Sequence, residues 1–201
     1  MRKFHMQVAA ILLSAAVPAT GSVAATACTG GVADGVSPNI GCETGAPRAN
    51  DSAAQLEADM LFGIDDYAFI AKDNDLDGTD EGDAGALSVM NTFFDSGDPI
   101  GGTFTIAQSV FDMFSSVVVV LKAGGANTTP DSYAGYLLSD PAGDTNTFSY
   151  SSIFLNKNGN TQGISHIALY GALAAVPLPA AGWLLLAALG WLGLARRRGA
   201  A

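Results

Sequence analysis

The chain has 201 residues, with 19 acidic side chains against nine Lys and Arg and a formal net charge of −10. An acidic field of that size repels polyanions, so nucleic acid and anionic membrane surfaces are excluded as partners. The length, once its two ends are set aside, suits one globular domain with a single core.

The first segment reads as a leader. Arg2 and Lys3 precede a nearly apolar run from Val8 to Val17 that is too short to span a bilayer. Val23-Ala24-Ala25 and Ala25-Thr26-Ala27 both satisfy a small-x-small cleavage rule. Residues 1–25 are therefore expected to be a signal peptide with a signal helix, cut after Ala25 or after Ala27. Lacking a twin-arginine pair, the leader points to general secretion through the Sec translocon and to signal peptidase.

Cys28 and Cys42 follow directly, separated by 13 residues rich in Gly, Ser, Asn and Pro. An even pair in an exported chain reads as a disulfide, which would stabilise a loop of this size by about 3 kcal/mol. Zinc is the competing reading, but two Cys without a neighbouring His do not complete its tetrahedral set.

From residue 26 to 175 the pattern is mostly β. Strands are predicted over Tyr67 to Lys72, Thr103 to Ala107, Ser115 to Lys122, Ser132 to Leu138, Thr147 to Leu155 and Ile164 to Tyr170. Thr147 to Ser151 and Gly102 to Ile106 alternate as half-buried strands do, whereas Val117 to Leu121 is a continuous run suited to a strand buried on both faces. Asn158-Gly159 reads as a turn needing positive φ. Short helices are predicted only at Gln55 to Phe62 and Gly85 to Phe94. Short strands with turn punctuation and no βαβ alternation imply an all-β fold, an antiparallel, jelly-roll-like β-sandwich.

One acidic run carries possible chemistry. Asp73, Asp75 and Asp77 alternate ahead of Gly78, with Asp80, Glu81 and Asp83 following. This opening is similar to an EF-hand calcium loop, in which alternate oxygens and a turn-making Gly wrap the ion. The match breaks at position twelve, where Ala84 replaces the bidentate Glu. Calcium held by Asp73, Asp75, Asp77, Asp80, Glu81 and Asp83 thus competes with a plain solvated acidic hairpin, and no other cofactor is expected.

Enzymatic signatures are sparse. His5 leaves with the leader, so His166 is the body's single histidine, on an alternating strand where it shares a face with Ile164, Ala168 and Tyr170. A hydrogen-bonded strand histidine is the expected role, and no catalytic residue is assigned.

At the C-terminus Val176-Pro177-Leu178-Pro179-Ala180 leads into an uncharged stretch, Leu178 to Ala195, and then Arg196, Arg197 and Arg198. Eighteen helical residues reach about 27 Å, enough for a transmembrane helix over about 178–195, and the arginines should hold its end in the cytoplasm. Without leader and tail, four basic residues (Arg48, Lys72, Lys122, Lys157) face all 19 acidic ones, a formal charge of about −15.

This tail resembles the VPLPA-CTERM sorting domain, a variant of the PEP-CTERM signals of Gram-negative bacteria. The resemblance covers residues 176–201 and implies cutting near the Pro motif by an exosortase-type membrane transpeptidase, in organisms that make exopolysaccharide. A membrane-anchored precursor, N-terminus out and C-terminus in, would then pass to the cell surface or medium. More loosely, the body resembles exported proteins with such tails, through Cys28 and Cys42, Asn50 to Ser52, Leu121-Lys122-Ala123-Gly124 and Ile164 to Tyr170. The expected role is a structural or adhesive surface protein associated with exopolysaccharide or biofilm. A calcium-dependent carbohydrate-binding module is the alternative, and a secreted hydrolase the third reading.

Overall fold

The computed structural model describes residues 25–74, 81–95, 97–124, 127–131, 133–141 and 146–173. Their strands are β1 (Thr26–Ala27), β2 (Val36–Ser37), β3 (Gly41–Thr44), β4 (Tyr67–Asp73), β5 (Glu81–Gly82) and β6 (Leu87–Asp95), followed by β7 (Asp98–Ile106), β8 (Ser116–Ala123), β9 (Tyr133–Leu138), β10 (Thr147–Ser151) and β11 (Ile164–Ala172). Two short helices join them, α1 (Ala53–Ala58) and α2 (Gln108–Met113).

All pairings are antiparallel and form two sheets. The larger runs β1-β3-β9-β8-β11-β4-β5 and the smaller β2-β10-β7-β6. The inner faces share one core. Phe104 and Phe148 stack with centroids 5.3 Å apart on the small sheet, while Val117, Val119, Leu121, Ile167 and Leu169 come from the large one. Helix α2 adds Val110 and Phe111 to the same core.

The large sheet is covered on its outer face as well. Val118, Val120, Tyr133, Ala168 and Tyr170 point there and pack beneath Leu56 of α1 and Leu61 of the following 3-10 turn, both fully buried. This explains the unbroken apolar run in β8, whose odd residues serve the sandwich core and whose even residues serve the outer one. Each such side chain contributes about 1.5–3 kcal/mol of burial. Ser52 starts α1, its hydroxyl accepting from Gln55 N at 3.3 Å. Asp59 ends it, with a buried carboxylate that accepts from Tyr133 Oη (2.7 Å), Gln55 Nε2 (2.8 Å) and Ala46 N (3.1 Å).

The six predicted strands are present, and β10 alternates in burial along its length. Two helix expectations divide. Gln55 to Phe62 becomes α1 and the 3-10 turn Leu61–Gly63, but Gly85 to Phe94 is not a helix: it holds β6. Ala86, Val89, Met90 and Phe93 mimic helical spacing, yet Val, Thr and Phe favour a strand and β7 supplies a partner for eight of its residues. As the outer strand of the small sheet, β6 leaves Met90, Phe93 and Phe94 exposed. Gly159 has φ +81° in the expected turn, where Asn156 Oδ1 accepts from the backbone N–H groups of Asn158 and Asn160.

Candidate functional site

The outer face of the large sheet is apolar beneath α1 and polar just beyond it. Asn50, Asp51 and Ser52 enter α1 there, and Asp51 sits in the midst of side chains from three central strands. His166 Nε2 of β11 lies 2.7 Å from Asp51 Oδ2, with both side chains nearly enclosed. Lys122 of β8 donates from Nζ to Ala49 O at 2.6 Å and reaches Asn50 Oδ1 at 3.5 Å. The Tyr170 hydroxyl donates to the main-chain oxygen of Asp51. Ser165 Oγ donates to Lys122 O at 3.0 Å and lies 3.2 Å from His166 Nδ1, so both imidazole nitrogens face oxygen.

Charge and burial compete at this cluster. Burial opposes ionisation of Asp51, but the hydrogen bond and charge of His166, helped by its own backbone and Lys72, hold its carboxyl below the usual carboxylate range. Burial lowers the Lys122 ammonium, the nearby Asp51 raises it, and Lys72 lowers it further. Burial, then the charges of Asp51 and Glu81, push the Tyr170 phenol well above its ordinary value, so it acts here as a hydrogen-bond donor.

Two β-bulges make this convergence possible. In the β4–β11 ladder Leu169 pairs with Ala71 and Tyr170 with Phe69, leaving Ile70 as the extra residue. Strict alternation would set Phe69 and Lys72 on opposite faces, three residues apart; the bulge brings both to the outer face. The Ile70 carbonyl accepts from Asp83 N at 2.9 Å, which ties β5 to the bulge. In the β8–β11 ladder Ile164 pairs with Ala123 and His166 with Lys122, leaving Ser165 extra. His166 consequently shares its face with Ala168 and Tyr170 as expected, but not with Ile164, which turns into the sandwich core.

A cleft of about 240 Å³ opens beside Asp51, lined by Asn50, Ser52, Phe69, Lys72, Glu81 and Tyr170. Phe69 meets the Tyr170 ring edge-on, with centroids 5.8 Å apart, yet remains 42% exposed. Lys72 and Glu81 are cross-strand partners between β4 and β5.

Cys28 and Cys42 form the expected disulfide, which fastens β1 to β3 alongside a backbone hydrogen bond from Cys28 N to Cys42 O. Of the acidic run, Asp73 is fully buried at the end of β4, Glu81 Oε1 accepts from Asn74 Nδ2 at 3.4 Å, and Asp83 Oδ1 accepts from Gly85 N at 3.0 Å. Asp75, Asp77 and Asp80 lie outside the described residues, as do the Val176 to Ala180 motif, the span over 178–195 and the three arginines. No group of three or more His, Cys, Asp or Glu is placed to share a metal among the described residues.

In the sequence Asp51 stands out only as part of the Asn50 to Ser52 pattern, with no role of its own. The available signal was scarcity: the body's single His and two of its four basic residues gather around one carboxylate. No protein-family model, no curated protein and no solved structure matches the chain.

Proposed function

We propose that this chain is an exported, non-enzymatic surface protein that serves as a structural or adhesive component associated with exopolysaccharide. The order of parts from Val176 to Arg198, a Pro-bracketed motif, an apolar span and a basic end, carries the reading. Prolines favour an extended backbone, the form in which an exosortase-type transpeptidase would reach such a motif just outside a membrane. The Cys28–Cys42 disulfide supports an oxidising destination. A jelly-roll-like connection of the two sheets belongs to the same reading, since repeated crossings between sheets suit a rigid module for display.

The competing calcium-dependent carbohydrate module draws on the Asp73 to Asp83 run. The placement of its described members favours the first reading, because Asp73 is enclosed at the end of β4 while Glu81 and Asp83 are exposed. A secreted hydrolase that used Ser165 with His166 would have to release the serine hydroxyl from its 3.0 Å hydrogen bond to Lys122 O. The deciding experiment is the intact mass of the protein recovered from cell surface and medium. A C-terminus near Val176, with or without an added group, is the expected result, and a full-length membrane species alone would overturn the sorting reading in favour of a plain anchor.

A further inference from the structure

The cleft beside Asp51 combines three properties. First, it holds an aromatic ring that the fold leaves partly open: Phe69 belongs to a strand of the large sheet, meets Tyr170 in a T-shaped contact, and keeps 42% of its surface exposed. The face of such a ring is electron-rich and attracts the polarised C–H groups of a flat, partly apolar ligand. Second, donors and acceptors alternate closely around it. Lys72 donates and Glu81 accepts; the Ser52 hydroxyl is already accepting from Gln55 N and retains its proton for donation. Asn50 takes Lys122 on its oxygen, which turns its amide NH2 to donation. Third, the bulge at Ile70 is the device that puts Phe69 and Lys72 on one face, and bulges commonly re-aim side chains beside functional sites.

Size and charge narrow the ligand. At about 240 Å³ the cleft is smaller than the roughly 300–1,000 Å³ of drug-sized sites and takes one ring-sized unit. The paired Lys72 and Glu81 disfavour a ligand of either sign, and the body's charge of about −15 repels an acidic polymer. A pyranose unit meets these demands: hydroxyls that both donate and accept, and one C–H face. We propose that the cleft formed by Asn50, Ser52, Phe69, Lys72 and Glu81 binds one hexose unit of a neutral polysaccharide, stacked on Phe69. This deepens the surface-adhesion reading and rests on it for the source of the glycan.

The test uses the protein as recovered from its exporting cells. It is titrated, with saturation-transfer NMR as readout, against neutral oligosaccharides of glucose, galactose, mannose and N-acetylglucosamine, with polygalacturonate as the anionic probe. Binding of at least one neutral probe at about millimolar affinity or tighter is expected. Phe69→Ala and Lys72→Met should each weaken it about tenfold or more, while Phe93→Ala on the far edge of the small sheet leaves it unchanged. Far-UV melting of each variant separates loss of binding from loss of fold, and Lys72→Met removes a donor without opening the core. Absence of neutral binding, binding that survives both cleft variants, loss with Phe93→Ala, or preference for polygalacturonate would each overturn the assignment. Fractionating the same cultures keeps the two readings apart. Protein held in the matrix that binds none of the sugars removes only the cleft assignment, whereas protein never found outside the membrane removes the adhesion reading.

Discussion

Replacing Asp51 by Asn tests the polar cluster with little change of shape. The amide is isosteric, and the main-chain oxygen that receives the Tyr170 hydroxyl is untouched, so the loss is confined to the carboxylate, which faces His166 and whose charge also acts on Lys72 and Lys122. With side-chain exposures of 5% for Asp51 and 12% for His166 the pair is largely enclosed, approaching the buried pairs for which removing one partner costs about 3–5 kcal/mol. Asn retains part of the hydrogen bonding, so the lower end, about 3 kcal/mol, is expected at pH 7. Against total stabilities of about 5–15 kcal/mol this is a large fraction, and it corresponds to a fall in Tm of about 6–12 °C for a body of this size.

The pH dependence has a definite sign. The folded carboxyl ionises below its ordinary 3.8, so the stabilisation is complete above that value and is lost as pH falls through the folded pKa. Urea unfolding of wild type and Asp51→Asn should therefore differ most near neutrality and converge below about 3.8. His166→Gln and the double variant complete a cycle whose coupling term isolates the pair. A loss under about 1 kcal/mol at pH 7, the size of a surface ion pair, would refute the buried-pair argument, as would a gap that persists unchanged in acid.

Three further outcomes follow from the packing. Cys28→Ser with Cys42→Ser should lower stability by about 3 kcal/mol, read as a shift of the urea midpoint, and reducing agent should bring wild type to the same value. Leu56→Ala, at a fully buried anchor between α1 and the outer face, should cost about 2–5 kcal/mol and speed amide exchange in residues 53–58 ahead of the sandwich core. Gly82→Ala should cost about 1–3 kcal/mol, because at φ +86° its new Cβ would fall 2.1 Å from the bulged Ile70 carbonyl; chemical shifts of Glu81 and Lys72 should move with it, and unchanged shifts would argue against β5 bracing the bulge.

The strands that could be read from the chain are those whose side chains alternate over five residues or more, as in β7 and β10, or whose Val run marks burial on both sides, as in β8. Strands of two to four residues such as β1, β2, β3 and β5 carry no measurable period, so only tertiary pairing defines them. β6 was misread because its apolar spacing satisfies both periods. The cleft was hidden for another reason. Phe69 and Lys72, or Ile164 and His166, change their facial relation through a single extra residue each, and a period of two has no means of announcing that slip. The disulfide was legible because two scarce residues stood close together in a loop with little else to hold it.

The last described strand, β11, occupies the middle of the large sheet, between β8 and β4, and not an edge. Its partners therefore wait for it: Tyr67 to Asp73, synthesised about a hundred residues earlier, gain their central neighbour only when Ile164 to Ala172 arrives. The contacts of Asp51 with His166 and Tyr170 bridge separations of 115 and 119 residues. Loop closure over such distances is slow, and in this topology β4 and β8 lack their shared neighbour until the final portion of the body is available. For a polypeptide that is to be threaded through a membrane pore unfolded, late closure is an advantage. Were the chain exported as proposed, the large sheet would lock only on the far side, once nearly all of the body had crossed, and a chain released before β11 emerged would lack the central strand of that sheet.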